Sequence, residues 1–352
     1  MSENITNKPD DTQIDNPTTI HGYKTVCAKL GLAMCVYFVC RMLGAMITTA
    51  AHRNITGLNL DLMYAITMTI MIIMVYLLPM IFTALIFKST SYYNVLNKNT
   101  RDMYKRPKRL AKAMGAFPAM YGLGYAIALL TMLAAFLISR STAGQTLIEE
   151  MLRPTAIGQS TSIASALMMV FMLVIIAPVF EEIWVRGIMY DALKPYGHGI
   201  AILVSSILFG LMHGSLNMLF YTTALGLALG YVRYATNSLF VVTVLHALIN
   251  AIAAGLLFTM ALVEMTGEEI RIINTIQNIY ILAVLVLIVV GIIAFFMKIP
   301  TIRKYKIENT WPEISSGRKT ALFFLSVPVI VMLVLAFNEL TQYWPLGLLI
   351  GR

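Results

Sequence analysis

The sequence predicts an all-α fold, a polytopic bundle of about eight to nine transmembrane helices around an intramembrane polar cavity. Of the 352 residues, 59% are hydrophobic and only 12% are charged, whereas soluble domains contain about 25% charged residues. Several apolar stretches reach the roughly 20 residues with which a helix crosses a bilayer. No stretch shows the alternation that is typical of a lipid-facing barrel strand.

The apolar runs define the predicted helices. They cover about 25–51, 62–87, 112–138, 162–190, 199–213, 216–233, 238–260, 275–298 and 320–338. We divide the chain into a disordered cytoplasmic tail (1–23), N-terminal transmembrane helices (24–160), a central group of helices (161–260) and C-terminal transmembrane helices (261–352). The tail is polar and has too little apolar surface to fold by itself.

The placement of the positive charges predicts the orientation in the membrane. The net charge is +9, and the basic residues cluster in 88–112 and 298–319, whereas 139–161 and 261–274 are neutral or acidic. Basic loops stay on the cytoplasmic side of a membrane. We therefore expect a cytoplasmic N terminus, contacts with membrane lipid, and no nucleic-acid partner.

Three ionisable residues interrupt the fourth apolar run. Such groups are costly within a membrane unless they are paired or functional. Residues four apart share one face of a helix, so Glu182 and Arg186 can neutralise each other. Glu181 points about 100° away from Glu182 and is the candidate general base. A purely structural ion-pair network between helices is the alternative.

Two later runs contain the other polar residues of this region. His213 follows Phe209 by one helical turn, and His246 precedes Asn250 by one turn, so each pair shares a face. Each histidine would need a separate partner if these runs did not converge with the fourth. We therefore expect three helices to build one site.

The expected ends of the helices give a depth in the membrane for each of these residues. Counted at 1.5 Å per residue from the expected cytoplasmic ends of the helices, Glu181 and His246 lie roughly 14 Å deep, whereas His213 lies about 20 Å deep. The site is expected to open towards the cytoplasm. His213 would reach it only through helix tilt or a deeper start of the fifth helix.

Proline and glycine predict two local features of these helices. Pro178 has no N–H for the carbonyl of Val174 and should loosen the helix one turn before Glu181. Small residues four apart let helices approach closely. The pair Gly210 and Gly214, and a second pair at 226 and 230, predict such packing for the fifth and sixth helices.

Together, the motifs Glu-Glu-x-x-x-Arg, Phe-x-x-x-His and His-x-x-x-Asn, in this order on successive runs, resemble the signature of the CPBP family of intramembrane proteases. This family includes the CAAX prenyl endopeptidases and the bacterial Abi or bacteriocin-processing proteins. The resemblance covers about 160–260, and every signature position matches. It implies that the central helices are catalytic and that the protein belongs to a bacterial cell membrane.

The resemblance also implies a reaction, the hydrolysis of a peptide bond in a membrane-associated or prenylated peptide or protein. Glu181, helped by His213, would activate water, while His246 and Asn250 would stabilise the oxyanion. The charged pair of the first motif would shape the site.

The sequence leaves open whether the site binds a metal. Glu181, His213 and His246 are residue types that bind zinc. The sequence lacks the His-Glu-x-x-His motif, however, and the family motifs do not require a metal.

Other functions are compatible with parts of the sequence. A serine protease that resembles the rhomboids would use Ser215 with His246, but it leaves the carboxylates and Arg186 unexplained. A proton-coupled transporter also buries ionisable residues, although no internal repeat is present. A catalytically silent scaffold or immunity protein would not need the intact motifs.

Overall fold

The computed structural model describes residues 19–55, 57–88, 110–138, 162–266, 271–304, 307 and 311–341. Within these ranges the chain is helical and contains no β-strand, which confirms the predicted all-α class. The predicted tail up to residue 18, most of the basic loop 88–112, and the segment 139–161 lie outside the described residues.

Eleven helices follow one another along the described ranges of the chain. They are α1 (Ile20–Asn54), α2 (Leu60–Phe87), α3 (Leu110–Met114), α4 (Phe117–Ile138), α5 (Ile163–Tyr196), α6 (His198–Met212), α7 (Leu216–Thr236), α8 (Leu239–Thr266), α9 (Arg271–Lys304), α10 (Ser316–Phe324) and α11 (Val327–Thr341). In the described part of the chain, six helices are long and apolar enough to cross a membrane, namely α1, α2, α4, α5, α8 and α9.

A further span results if α10 and α11, which meet at an angle of 69°, cross the membrane together. The protein is therefore an integral membrane protein, and its span count roughly agrees with the prediction. The difference lies in α6 and α7, which were predicted as spans but are not among the helices of sufficient length and apolarity.

The main departure from the predicted boundaries is the length of α5. The helix continues to Tyr196 instead of ending near residue 190, and Gly197, with a φ of 127°, reverses the chain directly into α6. Glu181 and His213 each lie about 16 residues, or roughly 24 Å, from this turn. The predicted mismatch in depth between them is wrong, because it assumed that α5 ends too early.

Paired charges stabilise the extension of α5. The buried carboxylate of Asp191 lies 3.2 Å from Nζ of Lys194 and 3.4 Å from Nη2 of Arg233 on α7. Arg233 also donates a hydrogen bond of 2.7 Å to Oδ1 of Asn237. Since a buried carboxylate is tolerated when it is paired, the helix can continue through Asp191.

Two helices contain wide π turns next to a proline. The turn Ile72–Leu77 in α2 precedes Pro79, and the turn Met172–Ile176 in α5 precedes Pro178. In a π turn each N–H bonds to the carbonyl five residues back. The loosening that was predicted at Pro178 is thus present, and a second wide turn, Ile183–Met189, follows closely after it in α5.

The hairpin of α6 and α7 is tightly packed through glycines. A Cβ atom on Gly210 would lie 2.0 Å from Oγ1 of Thr223, and one on Gly226 would lie 3.0 Å from Cβ of Ser206. The close packing predicted for these two helices is therefore confirmed. Gly214 differs, because it lies beyond the end of α6 with a φ of 63°.

Two apolar clusters flank this hairpin. The first contains buried side chains of α1, α5, α6, α10 and α11, including Tyr37 and Met332. The second contains those of α4, α7 and α8, including Tyr121 and Leu245. Of the helices that carry the polar motifs, the first cluster therefore fixes α5 and α6, and the second fixes α8.

The crossing of α4 and α9 gives a test of this packing. A Cβ atom on Gly122 would lie 1.9 Å from the carbonyl carbon of Gly291, so Gly122→Ala must separate the two backbones. We expect the free energy of unfolding to fall by about 1–3 kcal/mol, which should be seen as a lower midpoint of thermal unfolding in detergent. Gly199→Ala is the control, because a Cβ there has no atom within 4 Å. Equal midpoints for the two variants would contradict the packing described.

Candidate active site

His246 on α8 lies between the two adjacent carboxylates of α5. Its Nδ1 is 2.8 Å from Oε1 of Glu182, and its Nε2 is 3.8 Å from Oε2 of Glu181. An ionised carboxylate only accepts hydrogen bonds, so the Nδ1–H of His246 is the donor to Glu182. The first and third motifs therefore meet, as expected from the sequence.

Glu182 forms the expected pair with Arg186, and both side chains are completely buried. Nη1 of Arg186 donates a hydrogen bond of 3.0 Å to Oε1 of Glu182, and Nη2 donates one of 3.1 Å to the carbonyl oxygen of Gly226 on α7. The guanidinium lies 4.6 Å from the ring centroid of Phe209 on α6, a favourable cation–π contact. The pair therefore connects α5 with α6 and α7.

Glu182 binds His246 as well as Arg186. Its Oε1 accepts hydrogen bonds from both Arg186 and His246, which fixes the orientation of the imidazole. Among the described residues, neither Oε2 of Glu182 nor Nε of Arg186 has a hydrogen-bond partner, although both atoms are buried. Incompletely satisfied buried polar atoms are uncommon, and a catalytic role is one reason for their presence.

Glu181 has a partner that the sequence did not indicate. The hydroxyl of Tyr76 donates a hydrogen bond of 3.2 Å to Oε1 of Glu181. Tyr76 lies in the wide turn of α2, and its ring is 5.6 Å from that of Phe180. A tyrosine within an apolar run carries no functional signal of its own; only the proline that follows at position 79 marks the local irregularity.

His213 lies directly after the last residue of α6. Its Nδ1–H donates a hydrogen bond of 2.8 Å to the carbonyl oxygen of Phe209, so the neutral ring keeps Nε2 as an acceptor. The Phe209 ring contacts the rings of both His213 and His246, at centroid distances of 4.9 and 5.6 Å. The Phe209 ring also lies against the guanidinium of Arg186, so the second motif reaches the other two through Phe209.

Asn250 bonds to the irregular backbone of α5. Its Nδ2 donates a hydrogen bond of 2.9 Å to the carbonyl oxygen of Leu173. With the five-residue spacing of the wide turn, this carbonyl would pair with the N–H of residue 178, which is a proline and has none. Asn250 supplies the missing donor and fixes α8 against α5 one turn from His246.

The residues considered for zinc do not form a three-ligand cluster. Over the described ranges, no group of three or more His, Cys, Asp or Glu side chains is arranged to hold a metal ion. His246 and Glu181 approach each other to 3.8 Å, but a catalytic zinc needs three protein ligands. Glu181, His213 and His246 therefore do not fit such a site, and we derive no step through a metal.

Fold and site together define a helical membrane protein with a buried site of carboxylates and histidines. Residues 163–252 match the family model described as Type II CAAX prenyl endopeptidase Rce1-like. This match covers about a quarter of the chain and includes all six candidate residues, and it confirms the resemblance to the CPBP and CAAX protease family. No curated protein and no solved structure matches the chain.

The family match indicates a general class of reaction for this protein. It supports CAAX-type intramembrane protease activity and so implies a peptidase. A peptidase of this kind takes a peptide or protein substrate in a membrane.

The buried ion pair gives a test of stability. Arg186→Met leaves the carboxylate of Glu182 without its charged partner, and breaking a buried pair in this way costs about 3–5 kcal/mol. We expect Glu182→Gln combined with Arg186→Met to recover part of this loss, measured by unfolding in detergent. Arg318→Met, at an exposed position on α10, is the control and should leave stability unchanged. Losses that simply add in the double variant would show that the pair is not coupled.

Proposed function

We propose that this protein is an intramembrane endopeptidase that hydrolyses a peptide bond of a membrane-associated substrate, with Glu181 activating the attacking water. The observation that carries the proposal is the position of His246, held between Glu181 and Glu182 inside the helical bundle. The family match supports the same reaction class.

The first step is attack of water on the scissile carbonyl. Glu181 takes a proton from the water, the water oxygen forms a bond with the carbonyl carbon, and the carbonyl electrons move to its oxygen. Nε2 of His213 can accept a hydrogen bond from the same water, which keeps its second hydrogen, because the Nδ1–H of His213 is bonded to the carbonyl of Phe209. Glu181 and His213 would in this way orient the water from two helices.

The second task is stabilisation of the oxyanion. His246 would donate its Nε2–H to the oxyanion while its Nδ1–H stays bonded to Glu182. The amide of Asn250 has two N–H groups, and the hydrogen bond to Leu173 needs only one of them. Collapse of the intermediate breaks the C–N bond, and the leaving amine takes the proton from Glu181.

Glu182 and Arg186 act on this reaction through His246. The hydrogen bond of 2.8 Å from His246 to Glu182 fixes the plane of the imidazole, and Arg186 fixes Glu182 in turn. A preorganised donor of this kind stabilises a developing charge without reorganising during the reaction.

The proposed substrate is a prenylated peptide or protein of the CAAX type, in line with the description of the matching family. A prenyl chain partitions into the bilayer and so brings the adjacent peptide bond to a site within the membrane. The charge pattern of the loops favours a cytoplasmic N terminus in what we propose is a bacterial cell membrane.

The decisive experiment measures cleavage of a farnesylated CAAX peptide by purified protein in lipid vesicles, with product detection by mass spectrometry. Glu181→Gln should lower the turnover at least about 100-fold, because general-base catalysis contributes about 10²–10⁴-fold. Glu264→Gln, at an exposed position on α8, is the matched control and should retain full turnover.

Three outcomes separate the alternatives. Full turnover in Glu181→Gln, with loss of turnover in Ser215→Ala, would replace the glutamate mechanism by a serine mechanism. Equal cleavage of a peptide without the prenyl group would overturn the substrate class but keep the reaction. No cleavage of either peptide by the wild-type protein would favour a scaffold or a transporter.

Metal removal gives an independent test of the mechanism. Because the described carboxylates and histidines do not form a three-ligand cluster, we expect turnover to survive prolonged dialysis against a chelator. Metal content is measured in the same sample. Loss of turnover that is restored only by added zinc would contradict this expectation.

A further inference from the structure

The backbone that carries His213 is held by side chains from outside the matched region. Helix α6 ends at Met212, and the last carbonyl groups of a helix have no partner within that helix. Gly214 then turns the chain with a φ of 63°. The position of His213 therefore depends on what satisfies these carbonyl groups.

Helix α1 supplies the donors. The hydroxyl of Tyr37 donates a hydrogen bond of 2.8 Å to the carbonyl oxygen of Met212, and Nη1 of Arg41 donates a second one of 2.5 Å to the same atom. Nη2 of Arg41 donates one of 3.3 Å to the carbonyl oxygen of His213 itself. One guanidinium thus binds the carbonyl groups on both sides of the His213 Cα atom.

Helix α11 fixes the guanidinium. Nε of Arg41 lies 3.0 Å from Oε1 of Glu339, whose side chain is only 13% exposed. Arg41 can make these contacts together because its planar group presents donors in a fixed fork. A cation at this place is also favourable, because the C-terminal end of a helix carries partial negative charge.

Gly214 shows how closely the chain lies against this pair. A Cβ atom at Gly214 would lie 2.6 Å from Nη2 of Arg41 and 2.8 Å from Oε2 of Glu339. The segment after His213 therefore packs directly on the ion pair. Movement of the guanidinium would be transmitted to the backbone of His213.

We propose that Arg41, held by Glu339, is a positioning residue that fixes His213 for its role at the attacking water. This inference rests on the proposed peptidase function. It extends the site to α1 and α11, which lie outside residues 163–252. A positioning residue acts on the chemical step and leaves substrate binding almost unchanged.

Arg41→Gln tests the proposal in the farnesylated-peptide assay. We expect kcat to fall at least about tenfold with KM within about twofold, because small displacements of a catalytic group can cost up to about 10²-fold. Arg41→Lys should recover only part of the loss, since lysine keeps the charge but not the fork. Arg53→Gln, at an exposed position on α1, is the matched control. A rise in KM without a fall in kcat would assign Arg41 to substrate binding and overturn the proposal.

A double-mutant cycle tests the part played by Glu339. Glu339→Ala should lower kcat in the same direction as Arg41→Gln but to a smaller extent. The two changes combined should be no worse than Arg41→Gln alone, because both act on one guanidinium. Fully additive losses would show that Glu339 does not act through Arg41.

A measurement that does not depend on peptidase activity tests the role of Arg41 separately from the proposed function. The chain has five histidines, so ¹⁵N NMR of the ring nitrogens is tractable, and His213→Gln assigns the signals of interest. The wild-type protein should show His213 protonated at Nδ1, and Arg41→Gln should reduce this form. Unchanged His213 signals would reject the positioning role. If the wild-type protein cleaves no peptide, the NMR result still decides the role of Arg41 at His213.

Discussion

A carboxylate and a guanidinium that are completely buried in a membrane protein persist only while each keeps its partners, because removing one leaves an uncompensated charge. Glu182 and Arg186 are under this constraint, and their partners come from several helices. His246 binds from α8, the carbonyl oxygen of Gly226 from α7, and the ring of Phe209 from α6. The central helices must therefore pack in one arrangement around the pair, and that arrangement brings the catalytic candidates together.

The site lies where the backbone departs from a regular α-helix. A wide turn before Pro178 leaves the carbonyl of Leu173 without a backbone donor, and Asn250 satisfies it from α8. A second proline-associated wide turn, in α2, carries the hydroxyl of Tyr76 that binds Glu181. In both helices a polar side chain of the site lies at the irregular turn and makes a hydrogen bond there. The irregularity has a structural cost that tertiary hydrogen bonds offset, as is common for wide turns at functional sites.

The region that matches the family model does not form the site alone. Tyr76 of α2 binds Glu181, while Arg41 of α1 and Glu339 of α11 hold the backbone at His213. Motif positions specify which groups take part in a reaction, whereas their orientation depends on neighbours that follow no motif. The outer helices, which have no recognisable family feature in sequence, thus have a defined physical connection to the candidate chemistry.

The sequence by itself determined the features that depend on local geometry. Composition indicated the membrane-spanning helical class, and the four-residue spacing of Glu182 and Arg186 predicted their pairing, because helical neighbours are fixed by the backbone. Tertiary structure alone decided the second partner of Glu182, the use of Asn250 at Leu173, and the hydroxyl on Glu181, whose partners lie 64, 77 and 105 residues away. It also decided that Glu181 and His213 are equally many residues from Gly197, because the paired carboxylate of Asp191 lets α5 continue beyond the end that its apolar run predicts.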